Sequence, residues 1–422
     1  MTNNTKHIVI IGAGFGGITA LRHLVNKLPS GYSVIVVDRH RHQLYTPFLY
    51  EIASIPHEVS DDSVLKSCIL IPLDQTKYKK DNASFLQDEF EAINLQNKTI
   101  RLKGAGEMPY DYIIFALGSE TAYFNIPGLQ EYGYPLKTFD DAVRMRNAVE
   151  NLLKRKDELH ITVGGAGSSG VELVAEFVNF ICMMKEKLVP QSNICSVFFT
   201  LIEASPDILP GFDSWVIEKT KKRLKKLGVS IRVNSAVTSV TKDTIILKNG
   251  NTLANDIFIW TGGVKGPTLC RSLGFEISPK DSFIVDEYLR VCPRATVDGK
   301  AKHPSKSIFA IGDNATVLNH ATQKPVAWNV PAAEAEAKVA AENIIRAIQG
   351  KPLIPFKPAK KYPFVLAVGE KYAIADIGIR FSGFIGWITK QIIELNYVIS
   401  VLPMTKAISF WWRSFRASRV ND

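Results

Sequence analysis

Two glycine-rich turns, each followed by an acidic residue, are the segments of this sequence with the clearest chemical use. The first turn has Gly12, Gly14 and Gly17 at the G-x-G-x-x-G spacing, and Asp38 follows about 20 residues later, as dinucleotide binding requires. In this pattern the glycines let the backbone approach a pyrophosphate, and the acid accepts hydrogen bonds from a ribose. The first turn therefore predicts a dinucleotide site.

The second turn repeats the first. Gly165, Gly167 and Gly170 have the same spacing, and Glu203 follows in the role of Asp38, after a longer interval. A carboxylate here would accept hydrogen bonds from the ribose hydroxyls of NADH and would repel the 2′-phosphate of NADPH. The segment EASPD contains no arginine that could bind that phosphate, so we expect NADH. The alternative is a solvated acid at the end of a strand.

Each turn lies between a predicted buried strand and a predicted helix. Residues 8–11 are four apolar residues without interruption, which is typical of a central strand in a parallel sheet. Apolar residues recur at helical spacing over 18–28. In the second copy, residues 159–163 form the predicted strand and residues 171–184 continue as a helix. This internal duplication predicts an α/β fold with two Rossmann-like domains.

Three further segments could lie beside the first dinucleotide. The loop around Thr46 and Pro47 either covers the sheet or lies beside a flavin. One predicted buried strand ends at Gly118, and another ends at Gly312 and Asp313, ahead of a predicted helix start. Strand ends of this kind place backbone amides close to a nucleotide, although a purely structural role for Asp313 stays open.

The composition is that of a globular protein, with 46% apolar and 22% charged residues. The cysteines have no metal-ligand spacing, so we expect thiols in a reducing compartment and no metal site. They are Cys68, Cys182, Cys195, Cys270 and Cys292. The first apolar run is the predicted strand itself, so we expect no signal peptide.

The net charge of +10 points to a membrane surface more than to nucleic acid. From Lys351 onward, basic residues alternate with Trp, Phe and Ile. Pro403 separates two predicted amphipathic helices, and charges interrupt the apolar run, so a transmembrane span is not expected. The alternative is a tail that packs on the protein's own core or on a second copy. The predicted apolar stripe of the first helix is Phe384, Ile388, Ile392, Leu395, Ile399 and Leu402.

Taken together, these motifs resemble those of type II NADH dehydrogenases, the single-subunit NADH:quinone oxidoreductases of the two-dinucleotide flavoprotein superfamily. The resemblance runs nearly from end to end. It rests on IGAGFGG (Ile11–Gly17), HQLYTPFLYEIAS (His42–Ser54), YDYIIFALGSET (Tyr110–Thr121), IPGL (Ile126–Leu129), LKTFDDA (Leu136–Ala142), GAGSSGVELVAEF from Gly165, EASPDILPGF from Glu203, WTGGV from Trp260 and FAIGD from Phe309.

The resemblance implies FAD in the first fold and NADH in the second, with hydride transfer to the flavin, electron transfer to a membrane quinone and no proton pumping. It also implies a peripheral (monotopic) protein at the cytoplasmic face of the cell membrane, with a homodimer as a further option. The implied FAD contacts are Gly12, Gly14, Phe15, Gly16, Gly17, Asp38, Arg39, Thr46, Pro47, Gly118, Gly312 and Asp313. The implied NADH contacts are Gly165, Gly167, Ser168, Ser169, Gly170, Glu203 and Gly262.

By the same resemblance, Glu172 matches the family's acid near the nicotinamide and the flavin, where it would orient the carboxamide and share in proton handling. The alternative is an acid in the first turn of a helix that the macrodipole stabilises. The expected domains are an FAD domain (1–120 and 291–350), an inserted NADH domain (121–290) and a C-terminal amphipathic membrane-association region (351–422).

One departure concerns the quinone. The family's A-Q pair is replaced by the segment WNVPAAEAEAKVAAENI, with Pro331 or a neighbour at the Gln position. The Gln role is therefore not carried over, and Asn329 or Glu334 could replace it. Two alternative functions stay open: a sulfide:quinone-type or other quinone reductase, for which Cys292 is the unplaced thiol, and a membrane-docked redox sensor similar to apoptosis-inducing factor.

Overall fold

The computed structural model describes residues 5–156, 158–188, 196–294, 303–319 and 322–419. The helices in these residues are α1 (Phe15–Val25), α2 (Leu49–Ala53), α3 (Asp62–Ile69), α4 (Leu129–Tyr132), α5 (Phe139–Leu153), α6 (Ser168–Leu188), α7 (Ser214–Lys226), α8 (Val330–Ile348), α9 (Phe384–Val401) and α10 (Met404–Ser418).

The strands are mostly short. They are β1 (Lys6–Ile11), β2 (Tyr32–Asp38), β3 (His42–Leu44), β4 (Leu70–Pro72), β5 (Ala83–Gln87), β6 (Phe90–Asn94), β7 (Thr99–Leu102), β8 (Gly106–Pro109), β9 (Tyr112–Phe115), β10 (Glu120–Thr121), β11 (Gly133–Pro135), β12 (Glu158–Gly164), β13 (Ser196–Ile202), β14 (Ser230–Arg232), β15 (Val237–Val240), β16 (Thr244–Leu247), β17 (Thr252–Ala254), β18 (Ile257–Trp260), β19 (Val264–Lys265), β20 (Phe283–Ile284), β21 (Ile308–Ala310), β22 (Ala315–Thr316), β23 (Leu318–Asn319), β24 (Lys324–Pro325), β25 (Phe364–Ala367), β26 (Ala373–Asp376) and β27 (Arg380–Gly383).

The first glycine turn follows the central strand of a five-stranded parallel sheet. The strand order is β21-β9-β1-β2-β5, and in β1 Ile8 pairs with Val34 on one side and Tyr112 on the other. Residues 8–11 are at most 2% exposed. This burial on both faces explains the uninterrupted apolar run and confirms the predicted central strand.

The second glycine turn lies in a separate parallel sheet with the order β11-β18-β12-β13-β14. The chain reaches this sheet after β9 and returns to the first sheet with β21. One dinucleotide-binding fold is therefore inserted in the other, as the resemblance implies. The boundaries at 120, 290 and 350 stay predictions.

The two C-terminal helices are present on either side of Pro403, but the predicted apolar stripe does not face one environment. Phe384, Ile388 and Ile392 are exposed, whereas Leu402 is 3% exposed. The stripe is thus solvent-facing only along the first half of α9. None of the helices in the described residues is long and apolar enough to cross a membrane.

The second half of α9 is covered by a segment that precedes β5. The Nζ of Lys77 donates to the carbonyl oxygen of Ile399 at 2.9 Å, and its backbone N–H donates to the carbonyl oxygen of Val401 at 3.1 Å. The hydroxyl of Tyr78 donates to the carbonyl oxygen of Ser400. These bonds satisfy carbonyls at the helix end that lack intrahelical partners, and they explain why the stripe becomes buried there.

The middle of the buried side of α9 is polar. Lys390, Gln391 and Glu394 are buried, at 5–8% exposure, between the buried apolar residues Trp387 and Val398. In this part the helix has charged residues inside and apolar residues outside, the reverse of a helix on a globular surface.

Candidate active site

The first glycine turn combines two close backbone contacts with one open position. A Cβ on Gly12, whose φ is +106°, would lie 2.2 Å from the carbonyl oxygen of Ala116. A Cβ on Gly17 would lie 1.9 Å from the carbonyl oxygen of Gly12. A Cβ on Gly14 would meet no atom within 4 Å. The outer glycines are required by packing, and the open space at Gly14 suits a pyrophosphate.

The second turn has the same geometry. A Cβ on Gly165, whose φ is +98°, would lie 2.4 Å from the Cα of Gly262. A Cβ on Gly170 would lie 2.0 Å from the carbonyl oxygen of Gly165, and a Cβ on Gly167 would meet no atom within 4 Å. The predicted NADH contact Gly262 thus lies against the turn.

The helices that follow begin at equivalent positions. Phe15 and Ser168 each stand one residue after the middle glycine and open α1 and α6. The remaining predicted contacts of the turns, Gly16 and Ser169, lie in the same first turns. Helix N-termini of this kind attract phosphate through their free amides and their dipole. The structure therefore brings these predicted residues together in two matching cradles.

Asp38 is bonded to the first turn. Its Oδ2 accepts from the backbone N–H of Ala13 at 2.7 Å, and its Oδ1 accepts from the N–H of His40 at 2.8 Å. Further lone pairs stay available for ribose hydroxyls. The side chain of Arg39 is exposed beside it.

Glu203 repeats this arrangement in the second sheet. Its Oε2 accepts from the N–H of Ala166 at 2.7 Å, and its Oε1 accepts from the N–H of Ser205 at 2.9 Å. The carboxylate is 9% exposed and fixed at the turn. This geometry favours the ribose role over the alternative of a solvated acid.

The loop with Thr46 and Pro47 forms a 3₁₀ turn over Thr46–Phe48. Tyr45, just before it, lies 5.9 Å from the ring of Phe15, and Tyr397 of α9 lies 4.8 Å from the same ring. The loop is therefore close to the first glycine turn, which favours the position beside a flavin over that of a simple cover.

The segments at Gly118 and Gly312 are linked through the side chains of the residues that follow them, Ser119 and Asp313. Ser119 donates from Oγ to Oδ2 of Asp313 at 2.6 Å, and Lys137 donates from Nζ to that hydroxyl at 2.7 Å. The prediction of a strand that ends at Gly312 and Asp313, ahead of a helix start, is wrong, because β21 ends at Ala310 and the next described α-helix, α8, starts at Val330. The segment makes one 3₁₀ turn and then β22, which pairs with β20, so the chain is extended there.

A buried acid that sequence reasoning missed supports the same turn. Glu336 of α8 is 4% exposed, and its Oε2 accepts from the N–H of Gly312 at 2.7 Å. Burial raises the pKa of Glu336 to about 8, with a further increase from the charge of Asp313. The signal in the sequence was weak, because Glu336 stands among alanines on an ordinary helical pattern.

Glu172 is the fifth residue of α6, so the expectation of an acid in the first helical turn is wrong. The helix begins at Ser168, and the dipole effect falls off within one turn, which weakens the macrodipole alternative. The Oε1 of Glu172 accepts from the N–H of Ala367 at 3.4 Å. Burial raises its pKa to about 8, against the opposing charge of Lys390.

Lys390 lies at the centre of a buried charge cluster formed with Glu51 and Glu394. Its Nζ is 2.8 Å from Oε1 of Glu51 and 3.0 Å from Oε1 of Glu394. Burial alone would lower the pKa of Lys390, but the charges of Glu394 and Glu51 raise it well above its usual value. Sequence reasoning treated Lys390 and Glu394 only as interruptions of an apolar run. Their i,i+4 spacing was the available signal.

The helix that carries the family's Gln begins differently here. Oδ1 of Asn329 accepts from the N–H of Ala332 at 2.9 Å and caps α8, with Pro331 in its first turn. The Asn329 side chain is thus engaged as a helix cap. Glu334 is partly buried, and burial raises its pKa.

Three of the described cysteines, Cys68, Cys270 and Cys292, do not fit a redox-active thiolate. Burial raises the pKa of Cys270 to about 12 and that of Cys292 to about 11, and it also raises the pKa of Cys68. Reactive cysteines have lowered pKa values, so these thiols stay protonated at neutral pH. Cys195 lies outside the described residues.

Comparison with known proteins agrees with this geometry. The profile of the pyridine nucleotide-disulphide oxidoreductase family matches residues 6–337. The chain belongs to this family. Unlike members that carry a redox cysteine pair after the first motif, this pyridine nucleotide-disulphide oxidoreductase has no cysteine in residues 43–60.

Similar proteins include several type II enzymes. The chain is 28% identical over 391 residues to a type II NADH:quinone oxidoreductase of Haemophilus influenzae, which covers 83% of each chain. It is 25% identical over 439 residues to the type II NADH:quinone oxidoreductase Ndh of Mycobacterium tuberculosis, and the alignment covers 98% of this chain and 88% of that protein. The resemblance stated from the motifs is confirmed.

Solved structures share the fold. NDH2 from Plasmodium falciparum in complex with NADH superposes with a TM-score of 0.80 at 21% identity, and each chain is covered to 98%. The sulfide:quinone oxidoreductase of Aquifex aeolicus superposes with a TM-score of 0.73 at 18% identity, and the superposition covers 98% of this chain and 92% of that chain.

Proposed function

We propose that this family member is an FAD-dependent NADH:quinone oxidoreductase. The carrying observation is the pair of matching cradles, each with an open middle glycine and an acid bonded to the turn, in two parallel sheets. Two dinucleotides in one chain permit electron transfer between them. The names of the similar proteins support NADH as donor and quinone as acceptor.

The first cradle fits FAD. Gly14 leaves room for a diphosphate, Asp38 has lone pairs for a ribose, and the loop at Thr46 and Pro47 lies beside the same turn. Gly118, Gly312 and Asp313 complete the proposed contacts from the neighbouring strand ends. When bound, FAD accepts a hydride and returns two electrons to a quinone.

The second cradle fits NADH. Glu203 accepts hydrogen bonds from the ribose hydroxyls, and the first turn of α6 holds the diphosphate. Glu172, one helical turn further along α6, is our proposed catalytic residue at the nicotinamide. Because its pKa is raised to about 8, it is mostly protonated at neutral pH and can donate a hydrogen bond to the carboxamide oxygen.

The outer face of α9 and α10 is proposed to dock on a lipid surface. Its exposed apolar residues are Phe384, Ile385, Ile388, Ile392, Met404, Ile408 and Trp412. Its exposed basic residues are Lys406, Arg413, Arg416 and Arg419. Apolar and basic residues on one helical surface suit the interface of an anionic bilayer, where a membrane quinone is available. The cytoplasmic side remains an inference from the resemblance alone.

A vesicle experiment tests this docking. The protein with Ile385→Glu and Trp412→Glu should stay in the supernatant when anionic vesicles are sedimented, whereas the unaltered protein sediments. Phe198→Glu, at another exposed aromatic residue outside the tail, is the matched control and should still sediment. Sedimentation of the double variant with the vesicles would refute the proposed docking. If the double variant also changes its mass from that of a dimer to that of a monomer, the face belongs to the contact with a second copy.

An absorbance experiment tests the reaction. NADH should bleach the bound flavin, and a water-soluble quinone should restore its colour over many turnovers. Sulfide should not bleach it. A reduced flavin that quinone fails to reoxidise would support the redox-sensor alternative, and bleaching by sulfide would support the sulfide:quinone alternative.

A further inference from the structure

Lys137 connects the two nucleotide folds through a chain of hydrogen bonds. It lies between β11 and α5, in the LKTFDDA motif. Its Nζ donates to Oγ of Ser119 at 2.7 Å, and that hydroxyl donates to Oδ2 of Asp313 at 2.6 Å. The chain thus reaches a residue beside Gly118 and the acid of the Gly312–Asn314 turn.

The backbone at Lys137 is fixed by the start of α5. Thr138 and Asp141 form a capping box, in which Oγ1 of Thr138 accepts from the N–H of Asp141 and Oδ2 of Asp141 accepts from the N–H of Thr138. The N–H of Lys137 also donates to Oδ2 of Asp141 at 3.2 Å. The lysine therefore leaves a rigid helix start, which pre-organises the direction of its side chain.

The ammonium of Lys137 lacks an anionic partner close by. Among the described residues, Lys137 forms no ion pair, and the bonded partner of its Nζ is the hydroxyl of Ser119. Burial lowers the pKa of Lys137, and only the more distant charge of Asp313 opposes this. An ammonium has three donors, and a hydroxyl takes one of them. Lys137 is partly buried, and Asp313 reaches it only through a hydroxyl, so its ammonium can take a further, direct negative partner.

The space next to this lysine belongs to the proposed FAD contacts. Gly118 and Gly312 have φ values of +71° and +70°, and a Cβ on Gly118 would meet no atom within 4 Å. The backbone at Gly118 therefore borders open space, next to Ser119, whose hydroxyl is bonded directly to Asp313. Lys137 contacts Ser119 and reaches Asp313 through that hydroxyl.

We propose that Lys137 binds negative charge on the bound FAD, and that Ser119 and Asp313 hold it in position. The proposal rests on the proposed use of FAD in the first fold. The negative charge can be that of the diphosphate, which is present in both redox states, or that which the ring system gains on reduction. Both sources are anionic groups of the same cofactor, and they differ in when the charge is present.

The test compares Lys137→Met with Lys137→Arg, and uses Lys222→Met, at an exposed lysine of α7, as the matched control. Two quantities are measured without turnover: the Kd of the apoprotein for oxidised FAD, from flavin fluorescence, and the midpoint potential of the bound flavin. A charge-assisted bond implies an effect of about tenfold or more on one of them. Lys137→Arg should restore most of the loss.

A rise in Kd for oxidised FAD assigns the diphosphate as the partner. An unchanged Kd with a lower midpoint potential assigns the reduced ring. If Lys137→Met binds FAD within about twofold of the control and keeps its potential, the proposal is overturned. Lys137→Gln, which keeps a polar side chain, serves in the same assays where the methionine variant does not fold.

These readouts separate the proposal from the proposed function. A protein that binds FAD but does not transfer electrons from NADH to quinone would refute the function and still report the Kd and the potential. A structural role for Lys137 alone would lower the melting temperature of the variant and leave both quantities unchanged.

Discussion

The Oε2 of Glu203 lies 2.7 Å from the amide nitrogen of Ala166, so the acid proposed to select the dinucleotide is bonded to the turn proposed to hold it. From this bond we predict that the choice between NADH and NADPH is sensitive to the Glu203 side chain.

Glu203→Ala should reduce the preference for NADH. The variant loses the ribose acceptor and the repulsion of a 2′-phosphate, so we expect kcat/KM for NADH to fall about tenfold or more and the value for NADPH to rise. Steady-state assays with both donors measure this. Asp207→Ala, at an exposed acid in the same loop, is the control and should keep the preference.

Gly14 and Gly17 should respond differently to alanine, although both belong to one motif. Gly17→Ala places a Cβ 1.9 Å from a carbonyl oxygen and should destabilise the fold, seen as a lower melting temperature. Gly14→Ala meets no protein atom, so it should melt normally and bind FAD poorly. Equal melting temperatures for the two variants would contradict the assignment of separate packing and cofactor roles.

Glu172→Gln should change the pH dependence of flavin reduction by NADH. The pKa of Glu172 is raised to about 8, so the acid is protonated below that pH and loses its proton above it. We expect the rate of the unaltered enzyme to fall through this range, whereas the glutamine variant, which cannot ionise, shows a lower rate with a flatter profile. Stopped-flow absorbance measures both. A profile that is identical in the two proteins would remove Glu172 from the reaction.

Lys390→Met should destabilise the protein, and more so at higher pH. Removing the cation leaves the carboxyls of Glu51 and Glu394 buried without a counter-charge, at a cost of about 3–5 kcal/mol at neutral pH. Burial already raises the pKa of Glu394, and removal of the Lys390 charge that opposes this raises it further, so the loss is small near pH 5 and grows as the pH rises towards the raised value.

Urea unfolding at several pH values measures this loss. Lys406→Met, at an exposed lysine of α10, is the matched control and should leave the free energy of unfolding within about 0.5 kcal/mol at every pH. A destabilisation that does not depend on pH would show that Lys390 acts through packing alone.

The sequence was most informative where one local rule decides the outcome. The glycine turns of Gly12 and Gly165, with their strands and helices, follow from spacing and from uninterrupted apolar runs, whereas the insertion of one fold in the other was implied by the family resemblance. The positions of Asp38 and Glu203 follow from the same repeat. Close backbone contacts at the turns exclude any residue with a side chain at the outer glycine positions, and this is why the motif can be recognised in the sequence.

Features that depend on distant contacts were less accessible. The pairing of Glu51 with Lys390 joins residues far apart in sequence, and the burial of Leu402 depends on the segment at Lys77. The predicted helix covers residues 171–184, but α6 starts three residues earlier, at Ser168, which places Glu172 beyond its first turn. Periodicity gives the face of a helix but not the element that packs on it.

The bonds from Lys77 and Tyr78 to the last carbonyls of α9 have a mechanical consequence. They join the end of α9 to the segment before β5 in the first nucleotide fold, so α9 is held directly against that fold. In the proposed docking on a lipid surface, the tilt of α9 would therefore set the tilt of the whole molecule, and the proposed flavin site would lie at a fixed height above the lipid.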